Sequence, residues 1–161
     1  MLYFCLWLMP APMDYKPLAQ EIVVLEKKFG FPHFEPHATL FCGETLLDSE
    51  SLKENFQLLF RGAKKISLTT AGVYAQDEYH QNFFIMLQSN APLEHLNALA
   101  KKLDEKSTYQ LEPHVSLAYG VPVDNISSYA SSYIPPAMIG FDKLVLYTAS
   151  PWKEVDALAL P

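Results

Sequence analysis

Residues 35 to 43 read EPHATLFCG, and residues 112 to 120 read EPHVSLAYG. Both are Glu-Pro-His-x-(Thr or Ser)-Leu-x-x-Gly, so the chain writes the same nine-residue string twice. Along a strand, side chains two apart share a face. His37 and Thr39 therefore point one way, as do His114 and Ser116, while Leu40 and Leu117 turn to the opposite side, toward a helix-covered core. Such a string is a repeated structural unit, a paired chemical device, or both.

The segments around the two strings follow one plan. In the first, Leu2 to about Leu8 is an aromatic and apolar strand stopped by Pro10 and Pro12. A helix follows, with Leu18, Ile22, Leu25 and Phe29 at spacings of three and four, Asp14 near its start as a cap and Gly30 at its end. Pro32 and Pro36 keep the backbone extended into a strand from His37 to Cys42, closed by Gly43. In the second, Phe83 to Leu87 is the strand, Ala91 and Pro92 open a helix striped by Leu93, Leu96, Leu99, Ala100 and Leu103, and His114 to Tyr119 is the matching strand. Trp7 precedes His37 by 30 residues and Met86 precedes His114 by 28. A duplicated strand-helix-strand unit accounts for this, and it predicts two similar lobes related by a pseudo-twofold.

Between the units, Asp48, Ser49 and Glu50 open a helix carrying Leu52, Phe56, Leu59 and Phe60, which Gly62 ends. Ile66 to Tyr74 reads as strand and residues 76 to 82 as a turn. Residues 121 to 136 read as a loop or frayed helix, and two last strands fall near Ile139 to Tyr147 and Val155 to Leu160.

The whole is 161 residues, with 50% hydrophobic and 19% charged, the size and composition of one globular domain covering residues 1–161. The net charge is −6 and Arg61 is the only arginine, which leaves little to neutralise a run of phosphates. Long nucleic acid is a poor partner, whereas one or two phosphate charges can be held by backbone N–H groups, hydroxyls and protonated histidine. Cys5 and Cys42 lie in apolar strand-like runs and are expected as reduced thiols, since a bridge requires adjacent strands that sequence cannot establish. The opening MLYFCLWLMP lacks a basic region and is too short to span a bilayer, so no membrane association and a cytoplasmic location are expected.

If a twofold relates the lobes, two imidazole-plus-hydroxyl faces converge on one cleft. Such a site suits phosphodiester hydrolysis. One neutral histidine takes a proton from the attacking water, the other, protonated, donates to the departing oxygen, and the hydroxyls of Thr39 and Ser116 hold the non-bridging oxygens. This chemistry needs no metal and no cofactor. The rival is a metal site completed by Glu35 and Glu112, but Pro36 and Pro113 interrupt the strands that would align those carboxylates with the histidines. A packing role is the other alternative for the paired histidines. It is the preferred reading for His33 in the linker, His80 in the turn and His95 among leucines.

The tetrapeptides HATL (37–40) and HVSL (114–117), in this duplicated setting, resemble the 2H phosphoesterases, which carry two His-x-(Thr/Ser)-x motifs on related lobes. YFCLWLMP and FEPHATL are most similar to the small cyclic phosphodiesterase branch. The resemblance spans nearly the full length and implies an α+β bilobal fold, with two mostly antiparallel sheets facing a central cleft and helices outside. It also implies hydrolysis of nucleoside 2′,3′-cyclic phosphates to 2′-nucleotides, or of ADP-ribose 1″,2″-cyclic phosphate to ADP-ribose 1″-phosphate. His37 and His114 would be the acid-base pair, His114 taken as base and His37 as acid, with Thr39, Ser116 and Tyr119 on the phosphate. Strict alternation turns Tyr119 away from His114, so its part requires a bulge or an early end to the strand.

Trp7 matches a tryptophan suited to stacking on the base, although core packing is the commoner use of such a residue, and Phe83 or Phe84 would supply an opposite wall. The implied partner is a small cyclic-phosphate nucleotide and the implied state a monomer. Plant relatives carry further cysteines able to form bridges, so redox control of that type is not implied here. Processing of RNA ends or 2′-5′ linkages, and a phosphate-binding module without turnover, are the alternatives.

Overall fold

The computed structural model describes residues 1–120, 124–149 and 151–161. In chain order it contains β1 (Leu2–Pro10), α1 (Pro12–Phe29), β2 (Ala38–Thr45), α2 (Ser49–Leu59) and β3 (Ile66–Ala75). A 3-10 turn (Tyr79–Gln81) leads to β4 (Phe83–Leu87), α3 (Ala91–Ala100), β5 (His114–Ala118), α4 (Ile126–Ser132), β6 (Met138–Thr148) and β7 (Lys153–Ala159). The α+β expectation holds.

The strands form one antiparallel path, β2-β1-β6-β3-β4-β5, with β7 paired to β6. Its two ends, β2 and β5, approach each other, so the sheet nearly closes on itself. These ends are the two strands that carry the repeated string. Reciprocal packing brings them together: α1, from the first copy, lies against β5, and α3, from the second copy, lies against β2. The buried Asn97 amide on α3 donates to the Leu40 carbonyl at 2.8 Å, tying that helix to β2. Leu40 and Leu117 are fully buried, in a core that also holds Phe4, Leu18, Ile22, Phe56 and Phe141. Two lobes with a pseudo-twofold follow from the duplicated unit.

Local chemistry corrects several expectations. The first helix is not capped by Asp14. Ala11 occupies the N-cap position, Pro12 starts the helix, and the Asp14 carboxylate accepts from the Gly140 N–H at 2.8 Å, fastening α1 to β6. Residues 121–123 of the expected loop lie outside the described residues, and the rest of that segment contains α4.

The first strand of the repeat begins at Ala38 and continues past Gly43 to Thr45. Gly43 does not end it. A Cβ there would stand 2.9 Å from a Phe41 ring carbon and 3.0 Å from Asp104, whose carboxylate accepts from the Glu44 N–H at 2.9 Å. In the second copy the equivalent Gly120 has φ 124°, a conformation L side chains rarely adopt, and β5 has ended at Ala118. The repeated glycine is thus present for close approach in one copy and for backbone turning in the other.

Cys5 and Cys42 are not free thiols. They face each other across the β1–β2 pair, with Cα atoms 4.2 Å apart, and form a disulfide. The expectation failed because no local pattern marks β1 and β2 as neighbours in this register. No helix among the described residues is long and apolar enough to cross a membrane.

Candidate active site

The two histidines are held in the same way. His37 Nδ1 lies 2.7 Å from the Glu35 carbonyl oxygen, and His114 Nδ1 lies 2.7 Å from the Glu112 carbonyl oxygen. A carbonyl only accepts, so each imidazole carries its proton on Nδ1 and leaves Nε2 for other work. This gives the Glu-Pro-His string its physical reason. Proline keeps the preceding residue extended, and the carbonyl two residues back then meets the ring. Glu35 and Glu112 enter the site through their backbone oxygens. Among the described residues no group of three or more His, Cys, Asp or Glu side chains is arranged to hold a metal.

The environments of the two rings differ. His37 is only 7% exposed, and its pKa is lowered to about 4, chiefly by burial and further by the nearby His114, against the opposing effect of its Glu35 carbonyl bond. His114 is half-buried. Its pKa is also lowered by burial, but the Glu112 carbonyl bond and carboxylate charge oppose that shift. The influence of His114 on His37 reflects the approach of β2 to β5.

Trp7 stacks on His37 with ring centroids 3.8 Å apart and planes 12° apart. Tyr147, on β6 at the other side of β1, lies against Trp7 at 4.1 Å. Both faces of the indole are therefore covered, and Trp7 is a wall that desolvates and orients His37. Phe83 is fully buried and packs against Tyr129 and Tyr133 in the core, so it is not a wall of the cleft. Phe84, 3% exposed, meets the His114 ring edge-on at 5.5 Å and supports it from beneath.

Thr39, half-buried, pairs with Trp7 across β1 and β2, and its carbonyl accepts from the Tyr109 hydroxyl at 3.0 Å. Among the described residues its own hydroxyl makes no hydrogen bond. The Ser116 hydroxyl donates to the His80 carbonyl at 2.7 Å, so it must turn away from that carbonyl to donate to a ligand. Tyr119, released from strand alternation by the end of β5, swings across to the other lobe. Its hydroxyl oxygen is 3.5 Å from His37 Nε2, and its ring stacks on Phe34 at 3.9 Å. Burial pushes its pKa up to about 12, so the phenol stays protonated. Thus the structure gathers Trp7, His37 and Tyr119 directly, sets Thr39 beside Trp7, and brings Ser116 and Phe84 to the second histidine.

Sequence reasoning missed Phe34, Tyr147 and Gln81. The Gln81 amide nitrogen lies 3.4 Å from both ring nitrogens of His114, against the ring and bonded squarely to neither. Gln81 sits in a polar turn with no pattern to mark it. Phe34 is one residue before the first string and was readable only as linker.

In fold, the chain is similar over 99% of its length to E. coli LigT in its apo form (97% of that chain, 17% identity, TM-score 0.61) and complexed with 3′-AMP (98% of that chain, 16% identity, TM-score 0.59). A protein of Thermus thermophilus, TT0787, is similar over 99% of this chain and 98% of that one, at 15% identity and TM-score 0.58. A search among curated proteins returns no match. The duplicated fold and its paired motifs define a 2H phosphoesterase. Within that class, residues 1–131 match the cyclic phosphodiesterase-like protein family, and the chain belongs to it.

Proposed function

We propose that this protein opens small cyclic phosphates by two-histidine acid-base catalysis: nucleoside 2′,3′-cyclic phosphate to nucleoside 2′-phosphate, or ADP-ribose 1″,2″-cyclic phosphate to ADP-ribose 1″-phosphate. The observation that carries this reading is the matched pair of Nδ1–carbonyl bonds, which leaves Nε2 of each imidazole for proton transfer on two strands, β2 and β5, that approach each other. Two imidazoles supply both proton transfers, so no metal is required. The nucleotide in a structure of E. coli LigT is consistent with a nucleotide ligand here.

The environments favour roles opposite to the expected ones. His37, neutral down to about pH 4, is the base, and its Nε2 takes a proton from the attacking water. His114, more open and next to the Glu112 charge, is the acid. As water oxygen bonds to phosphorus, the bond from phosphorus to O3′ breaks, and His114 Nε2–H protonates that oxygen. Thr39 donates to a non-bridging oxygen, Ser116 does the same once its hydroxyl turns from the His80 carbonyl to the phosphate, and the Tyr119 hydroxyl orients His37 or the water beside it. Afterwards His37 loses a proton to solvent and His114 regains one.

The test is a panel of cyclic phosphates with products identified by phosphorus NMR, with and without EDTA. Turnover of mononucleotide cyclic phosphates to 2′-phosphates, unaffected by EDTA, supports the proposal. Tight binding without product after prolonged incubation would instead mark a binding module.

A further inference from the structure

Trp7 cannot offer a face to a nucleobase, because His37 and Tyr147 occupy both. Trp152, in the turn between β6 and β7, is an aromatic ring with open surface beside Trp7. It is 55% exposed, although tryptophan is a residue that proteins usually cover. Its ring centroid is 5.7 Å from that of Trp7 and 6.2 Å from that of Tyr3, which meets it edge-on. Tyr3 and Trp7 are four residues apart on β1 and share one face of that strand. Trp152 therefore lies over the same face as the Trp7–His37 stack, one aromatic ring removed from the candidate base. Tyr3, itself 42% exposed, supports its edge.

The two centroid steps, 5.7 Å from Trp152 to Trp7 and 3.8 Å from Trp7 to His37, are together of the order of the span from a nucleotide's phosphate to its base. Stacking a base on an open indole stabilises a complex without reading the base's edge. We propose that Trp152 is the platform for the nucleobase, and that it makes this enzyme selective for base-bearing cyclic phosphates over base-free ones. This rests on the function proposed above.

The experiment compares wild type, Trp152→Ala and Trp152→Phe on adenosine 2′,3′-cyclic phosphate and on a base-free ribose 2,3-cyclic phosphate. The platform predicts that Trp152→Ala lowers the ratio of kcat/KM for the two substrates about tenfold, through KM for the adenosine substrate, and that Trp152→Phe restores most of it. An unchanged ratio overturns the proposal. Binding provides an independent reading, because the chain has only two tryptophans. Adenosine 2′-phosphate should quench the fluorescence of wild type, while Trp152→Phe, which retains only Trp7, should lose most of that quench. If no cyclic phosphate is turned over, the proposed reaction fails, and the platform is judged by this quench alone: its presence upholds Trp152, and its absence overturns it.

Discussion

Tyr119 and His37 belong to different copies of the repeated string, yet the Tyr119 hydroxyl oxygen stands 3.5 Å from His37 Nε2. The contact exists because β5 stops at Ala118 and Gly120 takes a positive φ, which releases Tyr119 from the alternation that would have turned it away. Each half of the duplication thereby helps to complete the other.

Tyr119→Phe removes that hydroxyl and keeps the stack on Phe34. We expect kcat for a nucleoside 2′,3′-cyclic phosphate to fall about 10- to 100-fold, with unchanged thermal unfolding. Steady-state kinetics with a melting curve decides it, and wild-type kcat in the variant would remove Tyr119 from the mechanism.

The assignment of His37 as base and His114 as acid is tested by leaving-group strength. A good leaving group needs no protonation, so His114→Ala should recover much of its lost activity on a p-nitrophenyl phosphodiester, while His37→Ala should not. The reverse pattern would restore the roles expected from the sequence, His114 as base and His37 as acid.

Burial of a neutral His37 links stability to pH. Its folded pKa, about 4, lies below the ordinary histidine value of 6.5, so the unfolded chain binds the extra proton first. Stability from this group is present above pH 6.5, declines as pH falls toward 4, and amounts to about 3 kcal/mol over that window. Urea unfolding of wild type and His37→Gln across this range should show a shallower acid loss in the variant. Parallel curves would contradict the buried neutral state.

Gly43→Ala should destabilise by about 1–3 kcal/mol, because the new methyl meets Phe41 and Asp104 at 3.0 Å or less. Gly30→Ala provides the contrast: no atom lies within 4 Å of its Cβ position, and only its φ of 75° resists, at about 1 kcal/mol. Denaturant melts of both variants check the ordering.

Reduction of the Cys5–Cys42 bond, or Cys42→Ser, should lower stability by about 3–4 kcal/mol, since the bond closes a loop across a sequence separation of 37. Identical melting with and without reductant would show that the bond does not form in solution.

The paired strings, their strand faces and the three amphipathic helices around them were legible because each rests on local periodicity. Leu40 and Leu117 went inward as alternation required. What escaped depends on chain segments meeting over long separations. The Cys5–Cys42 register needed β1 beside β2, the burial of Phe83 needed α4 behind it, and the covering of Trp7 needed Tyr147 from β6. Tyr119 was readable as a candidate, but its reach to His37 depended on where one strand ended.

Catalysis as proposed requires both imidazoles to address one phosphate, and histidine side-chain nitrogen NMR during titration with adenosine 2′-phosphate is the sharpest check on that. Nδ1–H is expected on both rings, with His37 neutral and His114 also protonated at Nε2 in its acid form, and the Nε2 signals of both should move together and saturate at one equivalent. A response from only one ring, or two saturations at different ligand concentrations, would refute a shared phosphate.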